Sequence, residues 1–308
     1  MSSVTQAKVQ VARLSVISNT TLVVGKMVAG LATGSVSILS EAIHSGLDLI
    51  AAMIAYFSVK EAGKPADDRH RYGHGKIENI SGTIEALLIV VAAIWISYEA
   101  IGKLKNGGHV EQIGWGVAIM GVSAVVNIIV SRKLLKVAKA TDSVALEADA
   151  MHLKTDVYTS FGVMLGLLLI KLTGISLLDP LVALVVALLI LKAGWDLTKQ
   201  AFFPLVDVSL PKEEEEIIIG VIESYSAHYL EFHKLRTRKA GSERHIDLHL
   251  VVPKESPVRE VHTLCDTIED EIENRLPGSH VLIHIEPCKG SSDCNNCDSN
   301  GRQCQDET

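Results

Sequence analysis

Six apolar runs dominate the first two-thirds of the chain, near Val9–Leu31, Val36–Val59, Ile80–Ile101, Ile113–Leu135, Leu146–Leu172 and Leu177–Leu197. Each is long enough to cross a bilayer, which takes about 20 apolar residues. Soluble helices alternate polar and apolar faces, and these runs mostly do not. The expectation is an α-helical membrane protein with six transmembrane helices. Ala32-Thr33-Gly34-Ser35 and Asn106-Gly107-Gly108 read as turns between spans, and Pro180 stands near the first turn of the sixth, where a missing N–H costs nothing. Met1 to Lys8 is polar and the run after it is too long for a cleavable signal peptide, so the first span reads as an uncleaved address.

Positive charge sets the orientation. Lys8 and Arg13 stand at the opening of span one. Lys60, Lys64, Arg69, Arg71 and Lys76 lie between spans two and three, and Arg132, Lys133, Lys136 and Lys139 between spans four and five. The alternate loops hold only Lys103, Lys105 and Lys171. The positive-inside rule then predicts a multi-pass protein of the inner (plasma) membrane with both termini cytoplasmic.

Two of these spans repeat one pattern, His-x-x-x-Asp: His44 with Asp48 in span two, His152 with Asp156 in span five. On a helix, positions i and i+4 share a face, so each span presents an imidazole beside a carboxylate. At ~1.5 Å per residue both pairs come out near mid-bilayer, although their spans enter from opposite sides. Ionisable groups at that depth are expensive and are rarely idle. Facing one another, the pairs make an N₂O₂ set suited to a tetrahedral cation such as Zn²⁺. The competing reading is two satisfied helix–helix hydrogen bonds, which the repetition in separate spans disfavours.

Between spans two and three, Asp67, His70 and His74 have workable spacing for a second cation site, although a solvated charged loop has the same composition. From Pro211 the chain turns polar and acidic, opening on Glu213 to Glu216. Helix 211–229, strands 232–237 and 245–252, helix 257–276 and strand 281–285 describe a small α+β domain of order αββαβ. The expected division is 1–204 membrane, 205–288 cytoplasmic and 289–308 tail. The net charge of −7, with acid concentrated in the C-terminal third, gives no sign of nucleic-acid binding. The five cysteines all come after residue 264 and do not form a secreted disulfide framework. Cys294 and Cys297 form a Cys-x-x-Cys in a Ser-, Asn- and Asp-rich tail, which suits either soft-metal or redox chemistry, or disorder.

Several longer strings carry a family resemblance: Ser40-Glu41-Ala42-Ile43-His44-Ser45-Gly46-Leu47-Asp48, Asp67 to Lys76, Ala148-Asp149-Ala150-Met151-His152-Leu153-Lys154-Thr155-Asp156, His233 to Arg238, and Leu276 to His284. Over about residues 9–288 the chain resembles the cation diffusion facilitators, proton-coupled exporters of divalent metal, and most of all their bacterial ferrous-iron/zinc efflux branch. The resemblance implies a secondary active transporter, not an enzyme. It would work as a homodimer that exchanges metal for protons by alternating access. It implies His44, Asp48, His152 and Asp156 as the transport site and Asp67, His70 and His74 as a loop site. His233, His249, His262, His284 and Glu286 would form a cytoplasmic-domain cluster, with Glu286 where the family often has Asp. Lys76 and Asp207 match a charge interlock that holds the dimer. His44 stands where a well-known bacterial member of this branch has Asp, and resembles the zinc-transporting members. Zn²⁺ is thus the expected cargo, with Fe²⁺, Cd²⁺, Co²⁺ and Ni²⁺ as alternatives. The proton, through deprotonated ligands, is the natural coupling ion, and lipid the surrounding partner. A membrane-anchored sensor or scaffold is the competing function. An intramembrane metalloenzyme ranks last, because four protein ligands close the site and no His-Glu-x-x-His is present.

Overall fold

The computed structural model describes residues 3–33, 36–106, 115–173 and 177–288. They fall into two compact units, Met1–Leu205 and Val206–Thr308. The first holds helices α1 (Ser3–Thr33), α2 (Val36–Ala62), α3 (Lys76–Asn106), α4 (Trp115–Thr141), α5 (Val144–Thr173) and α6 (Leu178–Phe202). A 3₁₀ turn, Phe203–Val206, follows α6.

Among the described residues four stretches are long and apolar enough to span a bilayer: Ser3–Ala32, Ala42–Ala62, Lys76–Lys105 and Pro180–Val206. The sequence predicts six. All six helices are present among the described residues. Several of the helices outrun the apolar segments, because hydropathy detects only the lipid-compatible part. Thus α3 opens at Lys76, with Glu78 in its first turn where the helix dipole favours acid.

This unit reverses the soluble pattern. Its interior is rich in small residues: Ala12, Ala52, Ala55, Ala86, Ala93 and Ala148 are fully buried, beside larger ones such as Ile89, Leu134 and Leu153. Its periphery shows Val28, Leu31, Leu47, Trp95 and Leu188, each more than half exposed. Hydrocarbon solvates the large side chains, so helix association rests on close backbone approach through small ones. The α5–α6 contact shows it, since a Cβ on Gly162 would stand 2.8 Å from Val186 Cγ2. α1 packs chiefly on α2, α3 on α6 and α4 on α5, and α2 also meets α5. At one end Lys8 Nζ donates to Glu78 Oε1 at 2.9 Å, and the Ser143 hydroxyl donates to the same carboxylate. That contact joins α1, α3 and the turn before α5.

The second unit holds α7 (Lys212–Ser224), β1 (Glu231–Ala240), β2 (Glu243–Val252), α8 (Val258–Arg275) and β3 (Ser279–Pro287). The sheet order is β1-β2-β3, with β1–β2 antiparallel and β2–β3 parallel. Ile218, Val221 and Ile222 of α7 and Ile268 and Ile272 of α8 pack on Ile246, Leu248 and Leu250 of β2. One face of the sheet is therefore covered by helices. α7 stops short of the predicted Tyr229: its chain turns at Ser224, and Tyr229 folds back into the core with its hydroxyl donating to Ile222 O at 3.1 Å. Arg244 binds Glu214 through two nitrogens, at 2.8 and 2.7 Å, tying the start of α7 to β2.

One irregularity decides which side chains face outward. β1 bulges between His233 and Arg236, with Lys234 at a φ of 52°. In an unbroken strand His233, Leu235 and Thr237 would share a face. The extra residue returns Leu235 and Thr237 to the helix side while His233 stays outside, opposite His249.

Candidate metal centres

Asp48 of α2 and His152 of α5 meet inside the helical unit, Oδ1 to Nε2 at 3.2 Å. His44 and Asp156 approach in the opposite sense, Nε2 to Oδ1 at 3.8 Å. Each histidine thus faces the carboxylate of the other helix. His44, Asp48 and Asp156 can each place one ligand atom within 4.8 Å of the others. His152 borders this trio through Asp48. Asp48 is buried, whereas His44 is largely exposed, so the group lies in the wall of an opening and not in a sealed core. The adjoining cavity, about 170 Å³, is lined by Lys26, His44, Asp48, Ser123, Asn127 and Asp156 among others. Two imidazoles and two carboxylates around such a space can replace part of a dication's hydration shell.

The loop residues also converge. The Asp67 carboxylate accepts the backbone N–H groups of His70 at 2.7 Å and Arg69 at 2.9 Å. These bonds, that of His70 foremost, hold its carboxyl below the usual carboxylate range. Gly73, at a φ of 78°, turns the chain so that His74 returns over His70, the rings 4.4 Å apart. His74 Nε2 lies 3.4 Å from Asp67 Oδ2 and His70 Nδ1 3.2 Å from Oδ1. Each of the three residues places a ligand atom within 4.8 Å of the other two.

On the uncovered face of the sheet, strand register does the assembling. His233 stands opposite His249, and His249 opposite His284. Glu286 reaches across them, Oε1 to His249 Nδ1 at 2.7 Å and Oε2 to His233 Nε2 at 3.4 Å. The bond from His249 lowers the Glu286 carboxyl below its ordinary value, with Lys234 adding to the effect. His233, His249 and Glu286 form a three-ligand group, and His284 Nε2 is 4.0 Å from Glu286 Oε1. His262 does not join them within one chain. It is exposed on α8, 3.5 Å from Asp266. Lys76 opens α3, and Asp207 lies 3.5 Å from Arg238 within the second unit. Cys294 and Cys297 lie outside the described residues.

The structure adds residues that sequence reading leaves unassigned. Asn127 Nδ2 points to Asp156 Oδ2 at 3.5 Å. Lys26, buried on α1, donates to Ser45 Oγ at 2.8 Å on the cavity wall. Asp149 and Glu85 are fully buried near His152. A buried charge inside an apolar run is the signal that could have found Lys26 and Asp149.

Comparison with known proteins now bears on the whole chain. Residues 12–206 match the family described as the cation efflux transmembrane domain, and residues 210–288 match the cation efflux protein cytoplasmic domain. The chain belongs to the cation diffusion facilitator family. It is a membrane-spanning cation efflux transporter. An uncharacterized transporter of Synechocystis is 38% identical over 255 residues, which is 83% of this chain and 82% of that protein. The cation-efflux pump FieF of Shigella flexneri is 33% identical over 256 residues, covering 83% and 85%. A solved structure of CzrB in its zinc form is 40% identical where it aligns, over 26% of this chain and 92% of that one, with a TM-score of 0.25.

Proposed function

We propose that this facilitator is a homodimeric Zn²⁺/H⁺ antiporter that expels zinc from the cytoplasm through six membrane-crossing helices, with both termini on the cytoplasmic side. The observation that carries the reading is the crossed pairing in the helical unit, Asp48 with His152 and His44 with Asp156. Two neutral imidazoles and two carboxylates balance a dication, and the nitrogen donors favour Zn²⁺ over Mg²⁺ or Mn²⁺.

Proton coupling follows from the same ligands. Zinc requires them deprotonated, so arrival of zinc displaces protons and protonation on the far side ejects zinc. Histidine, whose unperturbed pKa is ~6.5, changes charge in the physiological range and suits this exchange. Rocking of helices about a fixed site then gives access from one side at a time. The loop group of Asp67, His70 and His74 collects metal at the cytoplasmic surface. The cluster of His233, His249, His284 and Glu286, with His262 supplied across the dimer, binds metal and shifts the population toward a transport-ready state.

Radiozinc uptake into inverted membrane vesicles tests the assignment. Uptake in the wild type, abolished in Asp48→Asn and competed by Cd²⁺ but not Mg²⁺, is the expected result. Full uptake in the variant overturns it.

A further inference from the structure

The uncovered sheet face carries a second histidine pair that the cluster above does not use. His245 and His280 stand opposite one another in the parallel β2–β3 register, four residues from His249 and His284 on the same strands. Even spacing along a strand keeps them on the same face, and at ~3.3 Å per residue they lie about 13 Å away. Their rings are stacked, with centroids 5.3 Å apart and planes inclined by 21°.

That spacing matches the neighbouring pairs of the proposed cluster: 5.4 Å for His233–His249 and 4.6 Å for His249–His284. Two nitrogens on one tetrahedral zinc are about 3.3 Å apart, given Zn–N lengths near ~2.05 Å, which a modest rotation of either ring supplies. A carboxylate is at hand: Glu243 Oε2 lies 3.9 Å from His280 Nε2. The cation nearest in register, Arg238 opposite His245, has its guanidinium 3.5 Å from Asp207. His280 is 62% exposed, so an ion reaches it directly from solvent, while His245 Nε2 is buried beside it.

We infer that His245, His280 and Glu243 form a further binding site for an imidazole-preferring divalent cation, of the Zn²⁺, Co²⁺ or Ni²⁺ class, on the sheet of the second unit. Two nitrogens, one carboxylate oxygen and water complete its shell. With one protein ligand fewer than the four-residue set around Glu286, it is the weaker of the two. It binds last as zinc rises and extends the metal-binding surface along the sheet.

The test uses the full-length protein in detergent with Zn²⁺ as the probe. Equilibrium dialysis with metal analysis is expected to give one fewer zinc per chain at saturation in His245→Ala/His280→Ala than in wild type. The tighter equivalents should be unchanged. Equal stoichiometry in the two proteins overturns the inference. A second measurement needs no variant: carbethoxylation of His280 in the wild type, read by peptide mass. Zinc at the concentration that fills the last equivalent should protect His280. Modification unaffected by zinc overturns the site.

Discussion

Asn127 gives the sharpest single prediction, because replacing it moves stability and metal affinity in opposite directions. Its Nδ2 supports Asp156 Oδ2 at 3.5 Å, while its buried Oδ1 has no hydrogen-bond partner among the described residues. Asn127→Leu keeps the branching at Cγ, at some cost in volume, and removes both polar atoms. Loss of an unsatisfied buried carbonyl relieves a cost of about 1–3 kcal/mol, offset in part by loss of one long hydrogen bond, so stability is unchanged or rises. Removing an outer partner of a metal ligand weakens metal binding about 10- to 100-fold. At 3.5 Å the bond lies beyond the usual 2.7–3.2 Å, which puts the effect at the low end, about tenfold or ~1.4 kcal/mol. Zinc titration calorimetry and thermal melting on the same detergent-solubilised protein read both quantities. Unchanged zinc affinity refutes a supporting role for Asn127. Affinity and stability falling together refute the separation of site from scaffold.

Three further outcomes follow. Lys26→Met removes a buried ammonium from the cavity wall and should tighten zinc at equilibrium while slowing flux, seen by calorimetry beside vesicle transport. The His249 bond depresses the folded-state value of Glu286, so its stabilisation is complete above the unfolded carboxylate pKa of ~4.3. It is lost as pH falls through the lower folded value, and Glu286→Gln should flatten the metal-free melting curve in that acid window. Burial, with Glu269 and Asp266 beside it, pushes the Cys265 thiol up to about 11. Native protein at pH 8 should therefore resist iodoacetamide at Cys265 until denatured, as peptide mass mapping would show.

Much of this architecture is legible in residue order, for identifiable reasons. Lipid-crossing segments must satisfy their backbone internally and stay apolar, so the long apolar runs that become α1 to α6 stand out from composition alone. The His-x-x-x-Asp repeat is visible because helical periodicity is local. Which histidine meets which carboxylate is not local: the crossed pairing depends on the α2–α5 approach. The cluster on the sheet is less legible still. His233, His249 and His284 are scattered over three strands and meet only through register, and His233 faces them only because β1 bulges at Lys234. A strand read as strict alternation puts His233 on the face of Leu235, which packs against the core. Lys26 and Asp149 escape notice for the opposite reason, since neither belongs to a repeated spacing along its helix.

The account rests on the intramembrane quartet moving zinc against protons. The direct measurement is zinc flux into proteoliposomes under an imposed pH gradient, wild type beside Asp156→Ala. The account predicts gradient-driven flux in the wild type that collapses in the variant, with the variant still folded and dimeric. Zinc flux indifferent to the gradient, or undiminished in Asp156→Ala, would contradict it.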